Sequence, residues 1–259
     1  MRYAKRGKLR FASHRDVARV FERASRRAGL PMAYSQGFNP HPKISWVGAT
    51  PTGCASEAEY VELQLVEPVD PELVRHELDA ALPEGLVVLD VVLAGPGNFA
   101  ERIDASKWRI ELPGVPVEQL RVAVGKLLAA PQVQVERMTK DGLRMLDARA
   151  ALVSLRVHPD PGGSPGAGNV TECGILLAVV RQASPAVRPD DVLSALGVVA
   201  GLRPTVPAKV TRMAQGRLDD EGDLVDPLDR DRKLDGSHPE GSGDGAPWLH
   251  PDDITGHAG

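Results

Sequence analysis

The sequence predicts an α+β protein: two ferredoxin-like βαββαβ sandwiches in tandem, followed by a disordered acidic tail. Three observations carry that expectation. Short alternating strands and amphipathic helices follow one another as βαββαβ and are complete by about residue 94. A similar order of elements then recurs, without any residue-level repeat. From Leu218 onward periodicity disappears and Gly, Asp, Pro and Ser dominate. The expected division is therefore 1–104, 105–217 and 218–259.

The elements of the first half are justified in chain order. RYAKRGKLRF, from Arg2 to Phe11, alternates as a strand or hairpin does. SHRDVARVFERASRRAG is a helix: Ser13 is its N-cap with Asp16 three residues on, Val17, Val20, Phe21, Ala24 and Ala28 form one apolar face, and Gly29 ends it. KISWVGA and EYVELQLVE read as two strands. DPELVRHELDAALP is a helix with Asp70 as N-cap and Pro71 in its first position, and LVVLDVVLA is a further strand.

In the second half KWRIELPG is a strand and PVEQLRVAVGKLLAA a helix. QVQVERM, ALVSLRVH and GILLAVVRQ are strands, RPDDVLSALGVVAG a helix, and PAKVTRMAQGRL a closing strand. PDPGGSPGAGN reads as a loop between them.

Total charge names no partner, with 31 basic and 35 acidic residues, but its distribution is uneven. Residues 1–43 carry eleven Lys/Arg against Asp16 and Glu22, and residues 218–259 carry twelve Asp/Glu against three Lys/Arg. A basic head suits a polyanion, and the acidic tail, with Trp248, is expected to compete for it. Cys54 and Cys173 have no CxxC or His-spaced partner and read as reduced thiols of a cytoplasmic protein. No apolar run is long enough for a signal peptide or approaches the roughly 20 residues of a membrane span, so no membrane partner is expected.

Candidate binding residues cluster before Tyr60. Arg15, Arg19, Arg23, Arg26 and Arg27 lie on and around the polar face of the first helix, a spacing that can meet successive phosphates or simply solvate that face. His14 sits at the helix N-terminus, where a neutral imidazole or an anion is favoured. In YSQGFNPHPKISW, Gly37 permits a left-handed turn, Pro40 and Pro42 fix two backbone angles, and Asn39 bonds locally. Stiffness does not require Tyr34, Phe38, His41 or Lys43. The rings offer stacking faces, His41 a proton-transfer or hydrogen-bonding group, and Lys43 a phosphate contact. PTGCASEAEY is expected to place Glu57 and Glu59 on either side of a short turn. A metal set from His14, His41 and Glu57 has no ligand spacing to support it, and no metal or cofactor is expected. In an ideal unit His14 lies at the opposite end of the sheet from the start of the strand that follows His41.

LRFASHRDVARVFERASRRAGLPMAYSQGFNPHPKISWVGATPTGCASEAEYVELQL resembles the core of the radical-SAM-linked proteins, with SHRD, AYSQGFNPHPKIS and SEAEY as its specific parts. In that family the module stands alone or follows a cobalamin-type radical SAM enzyme. The resemblance covers about Leu9 to Leu65, and more loosely to Leu93. It implies an accessory to a radical SAM protein that binds tRNA or rRNA for modification, with Ser13, His14, Arg15, Arg19, Arg23, Gly37, Phe38, Asn39, His41, Lys43, Glu57 and Glu59 as binding residues. The chain lacks the CxxxCxxC of the radical enzyme itself.

The alternative rests on architecture alone. Metal-independent CRISPR repeat-processing endoribonucleases are tandem ferredoxin-like proteins, and Tyr34, His41 and Lys43 would supply an acid–base set of their kind.

Overall fold

The computed structural model describes residues 1–139, 142–158 and 172–235. The first half contains β1 (Arg2–Lys5), α1 (His14–Arg27), β2 (Ile44–Val47), β3 (Ala55–Leu63), α2 (Pro71–Ala81) and β4 (Leu86–Asp90). The stretch after β1 is not a second arm of a hairpin. Gly7–Phe11 turns as a short 3-10 helix, entered through Gly7 at φ +56°. The second half contains β5 (Ala105–Pro113), α3 (Val117–Ala129), β6 (Gln134–Thr139), β7 (Gly142–Asp147), β8 (Leu152–Val157), β9 (Cys173–Arg181), α4 (Pro189–Ala200) and β10 (Lys209–Leu218). β11 (Leu224–Val225) and α5 (Asp229–Asp235) follow.

The α+β class holds, but the halves do not form separate sheets. One nine-stranded mixed sheet runs β4-β1-β3-β10-β5-β9-β8, with β2 also on β3 and β11 on β10. The first half contributes the order β4-β1-β3-β2 and the second the order β10-β5-β9-β8. They join where β10 pairs in parallel with the start of β3, Thr211 opposite Ala55 and Arg212 opposite Ser56. β2 pairs with the later part of β3, from Tyr60 to Leu63, so a single strand edge serves both neighbours. QVQVERM leaves the main sheet: as β6 it pairs with β7 in a separate hairpin.

Three apolar clusters hold these layers. Val17, Phe21 and Ala24 of α1 pack with Tyr3, Val61, Leu78 and Val88. Leu120, Val124 and Leu127 of α3, and Val192 and Leu196 of α4, cover Trp108, Ile110 and Leu112 of β5 and Leu176 and Ala178 of β9. Alternation along β3 sends Val61 into the first cluster and Tyr60 into a third, with Ala58, Phe99, Ile103 and Leu228.

Leu228 belongs to the segment expected to be a disordered tail, which is a correction. Within residues 218–235, β11 pairs with β10, and residues 226–232 then dock on the first half. Leu228 is only 1% exposed. Asp226 accepts from Arg2 at 3.2 Å and from the Tyr60 hydroxyl at 3.3 Å, Asp231 from Arg102 at 2.6 Å, and Arg232 pairs with Asp90. Two carboxylates of the expected tail, Asp226 and Asp231, are thus engaged by Arg2 of the basic head and by Arg102. Gly216 allows the close approach of β11: a Cβ there would lie 2.0 Å from the Val225 carbonyl oxygen. The remainder of the expected tail, 236–259 with Trp248, and the loop 159–171 lie outside the described residues. No helix among the described residues is long and apolar enough to cross a membrane.

Candidate nucleic-acid interface

α1 begins where its sequence says it should. Ser13 Oγ accepts the Asp16 backbone N–H at 3.2 Å, while Asp16 Oδ2 accepts the Ser13 backbone N–H at 3.3 Å and its hydroxyl at 2.6 Å. The bonds from Ser13 hold the Asp16 carboxyl below its ordinary range. With Val17, Phe21, Ala24 and Ser25 buried, Arg15, Arg19, Arg23, Arg26 and Arg27 are left exposed. None of these five guanidinium groups forms a salt bridge among the described residues; Arg26 Nε donates to the Glu22 carbonyl at 3.2 Å. At 1.5 Å rise per residue the row from Arg15 to Arg27 extends about 18 Å.

His14 packs edge-on against Trp46 with ring centroids 5.3 Å apart. Trp46 also meets Phe21 at 5.2 Å and Tyr3 at 6.1 Å, so its ring is committed to packing. His14 is exposed and lies against Trp46 near the C-terminal end of β2.

The Tyr34–Lys43 stretch is a closed hairpin loop extending the β2–β3 pairing. Ala33 N–H donates to the Gln64 carbonyl at 2.8 Å, Lys43 N–H to the Ala33 carbonyl at 2.8 Å, and Gln64 N–H to the Lys43 carbonyl at 3.1 Å. Tyr34 bridges Pro42, and Ser35 closes the tip, donating from N to the His41 carbonyl at 2.9 Å and accepting the His41 N–H on Oγ at 3.0 Å. Gly37 adopts φ +121°, and Phe38 and Asn39 project into solvent. Tyr34, His41 and Lys43 are exposed around the loop base. His41 precedes β2 whereas His14 touches its far end, so the two histidines stand at opposite ends of that strand. The last turn of α1, with Arg26 and Arg27, leads into this loop, so the arginine row and the loop are consecutive along the chain.

Glu57 and Glu59 do not flank a turn; both lie on β3, and the turn precedes them. They have different fates. Glu57 forms a two-pronged pair with Arg6, Nε to Oε1 at 2.8 Å and Nη2 to Oε2 at 2.5 Å. Glu59 is 2% exposed and pairs with Arg212 of β10, itself 4% exposed. Its second oxygen accepts the Thr50 N–H at 3.1 Å, and Arg212 Nε reaches Ser56 Oγ at 3.4 Å. The Arg212 guanidinium also lies over the Trp108 ring, 5.7 Å from its centroid. Burial lowers the pKa of the neighbouring Lys5, opposed by the Glu59 charge. A polar cluster thus fills the seam where the halves meet.

Beside it opens a cleft of about 520 Å³ between the β2–β3 turn, the end of β9 and the start of α4, with Arg212 and Gln215 among its lining residues. Neither residue drew notice in the sequence, because PAKVTRMAQGRL reads as one closing strand. The only signal was an Arg and a Gln set among its apolar positions. Cys54 is half-buried and Cys173 buried, and both thiols are free. Among the described residues no three His, Cys, Asp or Glu side chains gather as a metal site.

A family model described as "Uncharacterized protein conserved in bacteria (DUF2344)" matches residues 1–189, which carry α1, the loop and both glutamates. The search of curated proteins found no match.

Proposed function

Since the chain belongs to the DUF2344 family, we propose that it is an RNA-binding accessory that presents tRNA or rRNA to a radical SAM enzyme. The observation that carries the RNA part is the row of unpaired, exposed arginines on α1, continuous along the chain with a rigid loop bearing Phe38, His41 and Lys43. Cations aligned along one helix face meet a phosphate backbone, and an exposed ring beside them offers a base a stacking surface. The enzyme partner rests on the likeness of SHRD, AYSQGFNPHPKIS and SEAEY to the radical-SAM-linked proteins. In this reading each half is a ferredoxin-like unit. The matching strand orders support it, with the β6–β7 hairpin as an insertion in the second.

The test is incubation of the purified protein with total small RNA in EDTA, for wild type, Arg15→Ala/Arg19→Ala/Arg23→Ala and His41→Ala. Binding without cleavage, lost in the triple variant and accompanied by co-purification of a radical SAM protein, is the expected result. Absence of RNA binding at low salt refutes the proposal. Discrete products that vanish in His41→Ala would replace it by the metal-independent nuclease, with Tyr34, His41 and Lys43 as the reacting groups.

A further inference from the structure

We propose that the seam cleft is a second site, independent of α1, which takes a phosphorylated nucleoside. The cleft lies within the size range of small-ligand pockets and is lined by three arginines, Arg181, Arg188 and Arg212, with no acidic side chain in its lining. Arg212 is neutralised from behind by Glu59. Arg181 and Arg188 are exposed at the cleft and have no salt-bridge partner among the described residues. α4 starts at this wall with Pro189; of the two carboxylates in its first turn, Asp191 is buried and paired with Arg137, and neither lines the cleft.

The second observation is Gln215. It is 2% exposed, its Nε2 donates to the Ala58 carbonyl at 2.7 Å, and its Oε1 has no hydrogen-bond partner. The Ala58 carbonyl sets the amide orientation, because the flipped amide would oppose two acceptors. Gly48 also lines the cleft and lies against that buried oxygen: a Cβ there would lie 2.9 Å from Oε1. A buried acceptor without a partner costs free energy that a donor on a ligand recovers. Trp108, Val180 and Val187 add apolar surface to the lining, beside the polar Thr52, Ser106 and Gln182.

The ligand that fits this lining carries an anionic group, an apolar body and a hydrogen-bond donor. A nucleoside phosphate has that layout, its base supplying an N–H to Gln215 and its phosphate meeting Arg181 and Arg188. The same chemistry arrives as a free mononucleotide or as one nucleotide of an RNA.

Calorimetric titrations at low ionic strength with 5′-mononucleotides, the corresponding nucleosides, inorganic phosphate and a short single-stranded RNA separate these sources. A mononucleotide should bind about tenfold or more tighter than either phosphate or nucleoside, as two anchored ends require. Arg181→Ala/Arg188→Ala should weaken it by about tenfold or more, both positions being exposed. Ala49→Phe, at the exposed rim, should block the cleft while leaving charge and melting temperature unchanged. Arg15→Ala/Arg19→Ala/Arg23→Ala should leave mononucleotide binding intact, which distinguishes this site from the α1 surface. Binding confined to RNA but weakened by Ala49→Phe assigns the cleft to one nucleotide of the RNA. Equal affinity for phosphate and nucleotide overturns the proposal. So does indifference of every ligand to both cleft variants.

Discussion

Glu59→Leu should destabilise the protein more than the loss of any surface ion pair, because of what it strands. Arg212 would remain 4% exposed with its carboxylate gone, keeping only the long bond to Ser56 and the Trp108 ring. The Thr50 N–H would lose its acceptor as well. Removing one partner of a buried pair costs about 3–5 kcal/mol, largely the desolvated charge left behind. An orphaned backbone donor costs about 1–3 kcal/mol, partly included in that figure. A total of at least about 3 kcal/mol is a large share of the roughly 5–15 kcal/mol that holds a protein folded. With a urea dependence of about 3 kcal/mol/M for a chain of this size, the midpoint should fall by about 1 M or more. Glu59→Leu/Arg212→Met removes both charges and should return most of that loss, since apolar replacement of a buried pair is often nearly neutral. Far-ultraviolet circular dichroism in urea measures all four corners of the cycle. If Glu59→Leu costs under about 1 kcal/mol, or the double variant costs the sum of the singles, the pair does not fasten the seam.

Other outcomes follow from the same geometry. Leu228→Ala should cost about 2–5 kcal/mol in urea, and ending the chain after Arg217 more. Gly216→Ala should detach β11, seen as faster amide exchange within Leu224–Val225, because its Cβ meets backbone that cannot yield. Ser13→Ala should cost about 1 kcal/mol through the lost helix cap. The Asp16 carboxyl is held below its ordinary range, so its contribution is fully present above the unfolded value of 3.8 and is lost as pH falls through the folded one. Asp16→Asn should therefore flatten the acid limb of stability against pH without altering the alkaline limb. Replacing Arg19 and Arg23 together should reduce the log–log salt dependence of RNA binding by about 1 to 2; an unchanged slope would mean the row only solvates the helix.

Much of this protein was legible residue by residue. The α1 cap, its apolar stripe, its arginine row, the Asp70–Pro71 start of α2 and the strands of the first half are local patterns, repeating every few residues or resting on a neighbour three positions away. The loop's Gly37 and prolines likewise announced a stiff turn. What sequence alone did not decide depends on partners far along the chain. Glu59 and Arg212 are 153 residues apart, and Arg2 and Asp226 are 224 apart. A carboxylate at position 59 or 226 looks the same whether it meets water or a guanidinium, because local spacing carries no information about a strand that arrives more than a hundred residues later. Pairing of β10 with β3 turned Glu59 from an edge charge into a buried anchor. It joined two halves into one sheet and drew residues 218–235 out of the acidic tail onto the core. It also set Arg212 and Gln215 beside one cleft. Helix, cap and turn follow from short-range sterics and hydrogen bonding, whereas burial of a charge is decided only when the sheet closes around it.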